Sequence, residues 1–187
     1  MTTEMVRHRF TVNDYYRMAE AGILTEDDRV ELLDGEIVEM APIGSRHAAC
    51  VERLNWLLKE KITEHVEGIR IQQPVRLSTD AEPQPDVAVV RFREDFYRLR
   101  HPGPDEILLL IEVADSSLDI DRAIKLPRYA KAGVPVVWIV DLNAETVEVA
   151  TGPGTDGFTT QQIMRDKDLL VLPFASPTVI AVNDILG

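Results

Sequence analysis

The sequence predicts an α/β domain in which a mixed β-sheet is flanked by helices, with a helix and a β-hairpin at the N-terminus. Two observations predict this class: an Asp-Gly pair between apolar runs, and two continuous apolar runs separated by one helical segment. Continuous apolar runs are typical of strands buried on both faces, and a strand–helix–strand unit builds a parallel pair. The 187 residues fit one domain spanning 1–187.

The N-terminal half is predicted to hold two helices, a hairpin and two strands. Thr11 and Asp14 form a capping-box pattern that opens the first helix. Asp34-Gly35 suits the two left-handed positions of a type I′ turn. The predicted elements are a short helix ended by Gly22, a hairpin over 29–40, a helix that Ser45 caps and that runs to about Val66 before Gly68, and strands over 69–77 and 86–92.

The C-terminal half is predicted to form a βαβ crossover followed by a second hairpin. Pro127 interrupts the helical segment, so we expect a kink or a new helix start there. The predicted elements are a buried strand over 107–113, a helix over 119–132 ended by Gly133, a buried strand over 136–142, a hairpin of 146–150 and 158–164 that turns at 152–154, and short apolar segments over 168–186.

Charge and composition exclude several classes of protein. With 20 Lys and Arg against 32 Asp and Glu, the formal net charge is −12, which argues against indiscriminate binding of nucleic acid but leaves a local basic cleft open. The single cysteine, Cys50, excludes a disulfide framework and a Cys-rich zinc site. We expect a cytoplasmic protein with no signal peptide and no membrane partner, because no apolar run could span a bilayer.

Three carboxylates stand where burial is costly. Glu112 ends an apolar run that has no polar face, Asp86 opens a strand, and Glu31 lies between two apolar residues. A buried carboxylate needs a basic side chain or a divalent cation to compensate its desolvation, and converging carboxylates suit Mg²⁺ or Mn²⁺. Each of two residues has an alternative interpretation. Glu31 would belong to the polar face of a hairpin strand, and Asp86 would be a strand-entry residue bonded to backbone N–H groups.

A basic stretch supplies the candidate cation. The segment from Arg122 to Lys131 holds four basic residues and no acidic one, against the overall charge. Lys125 within it follows Glu112 by thirteen residues. The alternative is a solvent-exposed helix face. His47, on the long helix, is either structural or close to the same site.

These residues together resemble the Uma-type putative restriction endonuclease family of the PD-(D/E)XK nuclease superfamily. The resemblance runs from about Phe10 to the end of the chain. The segments that carry it are 30–38 with Glu31 and Asp34-Gly35, His47, Pro85-Asp86-Val87, Ile111-Glu112-Val113, Lys125, 129–135 and 137–141. The superfamily signature has a lysine two residues after the strand carboxylate, where this chain has Ala114. The resemblance therefore places the lysine on the following helix, at Lys125.

The resemblance implies a restriction-endonuclease-like fold and a Mg²⁺- or Mn²⁺-dependent endonuclease that hydrolyses phosphodiester bonds in DNA. The implied catalytic residues are Asp86, Glu112, Lys125 and Glu31, and the implied metal ligands are Asp86, Glu112, the Val113 carbonyl and Glu31. Lys125 would orient the attacking water and offset charge on the phosphate. Arg122 and Arg128 would contact neighbouring phosphates.

A second class of function stays open. The chain is alternatively a non-catalytic dimeric scaffold or regulatory module on a nuclease-like fold, since a fold alone does not determine activity. In that interpretation the apolar strands and Trp138 serve self-association. A homodimer is expected in either case, because two-fold dimers are the commonest assemblies.

Overall fold

The computed structural model describes residues 7–62, 66–174 and 178–187. The helices are α1 (Val12–Glu20), α2 (Ser45–Lys59), α3 (Leu118–Ile120), α4 (Leu126–Ala132) and α5 (Val182–Leu186). The strands are β1 (Val30–Leu33), β2 (Glu36–Glu39), β3 (Glu67–Ile71), β4 (Val87–Arg91), β5 (Ile107–Ala114), β6 (Val136–Asp141), β7 (Thr146–Gly154), β8 (Gly157–Arg165), β9 (Leu169–Val171) and β10 (Val179–Ala181). A 3₁₀ turn (Pro104–Glu106) precedes β5, and a π-helical turn (Asp121–Lys125) joins α3 to α4.

A six-stranded mixed sheet with the order β3-β4-β5-β6-β7-β8 forms the centre of the protein. Within it, β5 and β6 are parallel and the other neighbouring strands are antiparallel. The chain between the parallel strands passes through α3, the π turn and α4. This is the predicted βαβ crossover, and the predicted mixed α/β class is confirmed.

Apolar side chains form one core on each face of this sheet. Leu109 and Ile111 of β5 pack with α2 and α5, whereas Leu110 packs with α4 on the other face. Because side chains alternate along a strand, Glu112 shares the α4 face with Leu110. Trp138 is fully buried in the first core, so the expectation that it serves self-association is wrong.

The N-terminal hairpin is a separate two-stranded sheet beside the central one. Asp34 and Gly35 have φ of 47° and 74°, as the predicted type I′ turn requires. The hairpin is attached through an isolated bridge between Leu32 and Glu82 and through the Arg128–Asp34 ion pair, 2.6 Å from Nη2 to Oδ2. The docking of this hairpin therefore sets the position of Glu31.

Helix-start and helix-stop signals give mixed results. The capping box of Thr11 and Asp14 is present, with both reciprocal hydrogen bonds formed, and left-handed Gly133 ends α4 as predicted. For α2, the prediction of Ser45 as the cap is wrong, because Gly44 is the N-cap and makes no side-chain hydrogen bond.

Two predicted boundaries near α2 are also wrong. The helix ends at Lys59 rather than near Val66, although residues 63–65 of the predicted span lie outside the described residues. Gly68 does not end the helix but lies inside β3, whose pairing stops at Ile71. The next residue, Gln72, has a left-handed backbone with φ of 48°, which an extended strand does not accommodate.

The second hairpin has longer strands than expected. Gly154 and Gly157 pair directly across a two-residue turn at 155–156, so the predicted turn at 152–154 lies within β7. A Cβ on Gly152 would come within 2.1 Å of the Thr159 hydroxyl, and its φ is 69°. Gly152 therefore marks a close approach of two strands rather than the end of one.

The environment of Cys50 and the character of the helices bear on two expectations drawn from composition. Cys50 is buried, and burial raises the pKa of its thiol to about 11, which agrees with a packing role. Within the described residues, the helices are too short or too polar to cross a lipid bilayer.

Candidate active site

A cavity of about 220 Å³ opens between the hairpin, the start of α2, the sheet and the π turn. All four residues expected to be catalytic, together with His47, line this cavity. Its ionisable lining residues are Arg29, Glu31, Glu39, His47, Asp86, Glu112, Asp115, Asp121 and Lys125. The structure thus brings together residues that are up to 94 positions apart in the chain, between Glu31 and Lys125.

Lys125 lies between two carboxylates from different sheets. Its Nζ is 3.2 Å from Oε1 of Glu31 and 3.4 Å from Oε1 of Glu112. The lysine residue is 7% exposed. Burial alone would lower the pKa of Lys125, but attraction to Glu112 and Glu31 outweighs it and the pKa is raised. The ammonium therefore stays charged in the cavity.

Glu112 is held from β5 by α4. The Tyr129 hydroxyl donates a hydrogen bond of 2.5 Å to Oε1 of Glu112, the same oxygen that faces Lys125. Burial raises the pKa of the Glu112 carboxyl well above its usual value, and the carboxylates of Asp121, Asp86 and Glu31 add to that rise, while Lys125 opposes it. Burial and the neighbouring carboxylates thus both disfavour the charged form of Glu112.

Asp86 is fixed directly beside Glu112. The backbone N–H of Val113 donates to Oδ2 of Asp86 at 2.8 Å, and Nε2 of His47 lies 3.0 Å from the same oxygen. This hydrogen bond raises the pKa of His47, against the effect of its partial burial. Nε2 of Gln72 donates to the other oxygen, Oδ1, at 3.2 Å. His47 thus orients a candidate carboxylate rather than standing alone.

Glu31 is a buried residue and not the polar face of a hairpin strand. It is 4% exposed, and its Oε2 accepts a hydrogen bond of 3.0 Å from the backbone N–H of Gln84. The two oxygens therefore have different partners, since Oε1 faces Lys125. This contact ties the hairpin to the segment that leads into Asp86.

The structure adds Asp121, which sequence reasoning missed. It is 3% exposed, and its Oδ2 accepts a hydrogen bond of 2.7 Å from the Ser117 hydroxyl. Burial raises the pKa of the Asp121 carboxyl, while Lys125 lowers it. The available signal was the four-residue step from Asp121 to Lys125 to Tyr129, all of which are buried.

Asp121, Lys125 and Tyr129 share one helix face because they are four residues apart, and a π turn spans the first two of them. Its N–H of Leu126 bonds to the carbonyl of Asp121, five residues earlier. Such a turn contains more residues than an α-helical turn, and π turns are frequent at functional sites. Pro127, the second residue of α4, does not end the helix but follows this widened turn.

Arg122 and Arg128 do not line the cavity, and carboxylates elsewhere pair with them. Nε of Arg122 lies 2.8 Å from Oε2 of Glu148, and Arg128 pairs with Asp34 on the hairpin. Each arginine thus already has a carboxylate partner, and the expectation that they contact neighbouring phosphates stays a prediction. Arg29 does line the cavity, and its hydrogen bond is to the carbonyl of Ala41 rather than to a carboxylate.

The side-chain charges of the inner cavity are unbalanced. Four carboxyl groups, those of Glu31, Asp86, Glu112 and Asp121, line the cavity together with the ammonium of Lys125 and with His47, which pairs with Asp86. Across the described ranges, no three His, Cys, Asp or Glu side chains are arranged so that they alone would hold a metal ion. Mg²⁺ usually takes one or two protein carboxylates and completes its shell with water and substrate oxygens. The donor chemistry and the excess of negative charge therefore fit such an ion.

Comparison with known proteins identifies the family and a structure of similar fold. Residues 12–182 match the model of the Uma2 family, described as "Putative restriction endonuclease". The fold is similar to the crystal structure of "a putative nuclease belonging to DUF820" from Anabaena variabilis ATCC 29413. The TM-score is 0.67 at 18% sequence identity, with 95% of this chain and 97% of that chain covered. None of the curated proteins matches. The expected nuclease-like fold is confirmed.

Proposed function

The chain belongs to the Uma2 family of putative restriction endonucleases, and on that basis we propose that it is a Mg²⁺- or Mn²⁺-dependent endonuclease that hydrolyses phosphodiester bonds in DNA. One observation carries the proposal: a buried lysine lies between Glu31 and Glu112, in a cavity that Asp86 and Asp121 also line. A surplus of carboxylates beside a fixed ammonium is suited to a metal ion and an anionic substrate.

The carboxylates of Asp86, Glu112 and Glu31 would hold the metal ion. Asp86 and Glu112 would be the direct ligands, because the hydrogen bond from the Val113 N–H places Asp86 beside β5. The Val113 carbonyl is a further ligand, and Glu31 completes the acidic shell directly or through water. The bound ion would polarise the scissile phosphate and lower the pKa of a water. Oε2 of Glu112 accepts no hydrogen bond from the described residues, so it is available as a ligand.

Lys125 would act on the substrate and the attacking water. An ammonium has three N–H donors, and Glu31 and Glu112 account for two of them. The third can donate to a phosphate oxygen or to the water, which fixes its position and offsets negative charge that develops on phosphorus-bound oxygens. The two carboxylates hold the ammonium in place, so little rearrangement is needed on substrate binding.

Arg29 and Tyr129 would support these groups from outside. Arg29 is exposed at the cavity and has no carboxylate partner among the described residues, so it suits a phosphate next to the scissile one. Tyr129 is a positioning residue, because its hydroxyl fixes Oε1 of Glu112 and leaves the second oxygen for another partner. His47 orients Asp86 through Nε2 in the same manner.

A nicking assay tests the proposed activity. Supercoiled plasmid and single-stranded DNA are incubated with the protein in Mg²⁺, in Mn²⁺ or in EDTA. We expect cleavage with either metal, none in EDTA, and a loss of at least about 100-fold in Asp86→Asn, Glu112→Gln and Lys125→Met. Lys131→Met is the matched control, because Lys131 is exposed on α4 and does not line the cavity.

Metal binding is measured separately from cleavage. Mg²⁺ should raise the melting temperature of the wild-type protein, because an ion that binds the folded state alone stabilises it, and this shift should disappear in Asp86→Asn. Cleavage that persists in Asp86→Asn and Glu112→Gln would come from a contaminant and would refute the assignment. Failure of the wild-type protein to cleave DNA with either metal would refute the proposed substrate.

A further inference from the structure

A second, open groove lies along β3, at the edge of the central sheet. Arginines and aromatic rings line it, in contrast to the acidic cavity. Its main lining residues are Arg70, Arg91, Arg93, Phe96 and Tyr97. Glu67 is the one acidic residue among the lining residues that the structure describes. The groove is therefore locally basic in a chain with a net charge of −12.

Two of these arginines are not neutralised by carboxylates in the described part of the chain. Arg70 hydrogen bonds to Nδ1 of His101 at 3.3 Å and lies over the Tyr97 ring, 5.6 Å from its centroid. Its Nε is buried and has no hydrogen-bond partner. Arg91 is exposed and donates to the Asp105 carbonyl. A half-buried guanidinium with unused donors is a site prepared for an anion.

Phe96 presents an exposed aromatic ring among the residues that line the groove. It is 75% exposed, and its ring meets Phe92 edge to face with centroids 5.7 Å apart. Phe96 and Tyr97 both have left-handed backbones, with φ of 50° and 60°. Such conformations cost energy in non-glycine residues and persist where the surrounding structure imposes them. Here they display the Phe96 ring to solvent in a groove that Arg70 and Arg91 also line.

The groove and the acidic cavity are lined by neighbouring residues of the segment that follows β3. Gln72 lines the cavity and hydrogen bonds to Asp86, while Gln73 and Arg70 line the groove. At about 3.3 Å per residue, Arg70 lies about 7 Å along the chain from Gln72. Arg91, which pairs with Glu67 in the register, is at the far end of the same two strands. A polymer entering the cavity would thus pass along β3.

We propose that this groove binds a single strand of nucleic acid that continues from the cavity, with phosphates on Arg70 and Arg91 and a base stacked on Phe96. The inference rests on the proposed nuclease function. Arginines with adjacent aromatic rings are the surface that single strands use. A duplex would fit less well, because its bases are already stacked and unavailable to Phe96. An acidic protein segment has the charge but no planar rings, so it uses only part of the groove.

Binding is tested in EDTA, so that cleavage has no influence. Fluorescence anisotropy measures the affinity for a labelled oligothymidine and for a duplex of the same length, between 50 and 200 mM salt. We expect tighter binding of the single strand, a tenfold loss in Phe96→Gly, and a similar loss in Arg91→Gln, whose dependence of log affinity on log salt should flatten by about 0.7. Arg165→Gln is the matched control, because Arg165 is exposed on the opposite edge strand β8.

Phe96→Gly and Arg91→Gln are chosen because neither substitution should disturb the fold. Phe96→Gly relieves a left-handed backbone, and Arg91 is exposed, so both proteins should fold with melting temperatures near that of the wild type. Undiminished binding by Phe96→Gly and Arg91→Gln, no binding by the wild type, or tighter binding of the duplex would overturn the inference. If the wild type cleaves DNA but these variants bind normally, the nuclease stands without the groove. If the variants lose binding and the wild type cleaves nothing, the groove stands without the nuclease.

Discussion

Replacement of Lys125 by methionine tests whether this ammonium compensates the buried carboxylates. Methionine keeps most of the apolar stem but removes the charge that lies 3.2 Å from Glu31 and 3.4 Å from Glu112. Removing one partner of a buried ion pair costs about 3–5 kcal/mol, because the remaining charge stays desolvated. For a protein of this size, each kcal/mol lowers the melting temperature by about 2–4 °C. We therefore expect a fall of about 6–20 °C in metal-free buffer.

Scanning calorimetry in EDTA and then in Mg²⁺ measures this effect. Mg²⁺ should raise the melting temperature more in Lys125→Met than in the wild type, because four carboxylates then face no competing cation. Lys131→Met is the control, since an exposed substitution changes the free energy of unfolding by less than about 0.5 kcal/mol. A melting temperature of Lys125→Met within about 2 °C of that control would refute the reasoning.

Three further predictions concern residues outside the cavity. Thr11→Ala should lower the free energy of unfolding by about 1 kcal/mol in urea titrations, because it removes the acceptor of the Asp14 N–H, whereas Thr11→Ser should be near neutral; equal losses would argue against the cap. Hydrogen bonds from Arg100 lower the pKa of Glu106 to about 2, so its stabilising effect is complete above about pH 4.5 and is lost as the pH falls towards 2. Glu106→Gln should therefore cost about 1 kcal/mol at pH 7 after solvent screening, and a cost that does not shrink in acid would contradict this. A double-mutant cycle of Asp34→Asn and Arg128→Gln should give a coupling of about 0.5–1 kcal/mol, and a value near zero would remove this pair as an anchor of the hairpin.

Part of the candidate site could be predicted from the sequence, because an apolar run without a polar face indicates that its residues are buried. Glu112 interrupts a run that has no polar face, so a buried carboxylate was predictable, and a buried carboxylate requires a compensating cation. Lys125 was predictable as that cation through the family resemblance and the local reversal of charge. The structure agrees on their proximity, while the chemical roles of both residues stay predictions.

The parts that failed depend on geometry that composition does not reveal. Asp121 was missed because an acidic residue in a charged helix usually faces solvent, and the π turn that buries it has no recognised sequence signal. The ion pairs of Arg122 and Arg128 were not foreseen because their partners, Glu148 and Asp34, come from elements distant in sequence. The end of α2 was placed too late because apolar residues continue beyond Lys59 at helical spacing.

The cavity is assembled from two independently hydrogen-bonded sheets. Glu31 is carried by β1, which pairs with β2, whereas Glu112 lies on β5 of the central sheet. A local opening of the hairpin would thus withdraw one carboxylate and uncover Lys125 without breaking the main sheet. A cation that contacts both Glu31 and Glu112 would oppose that opening. Slower amide hydrogen exchange in the hairpin would therefore report that the cation site in the cavity is occupied.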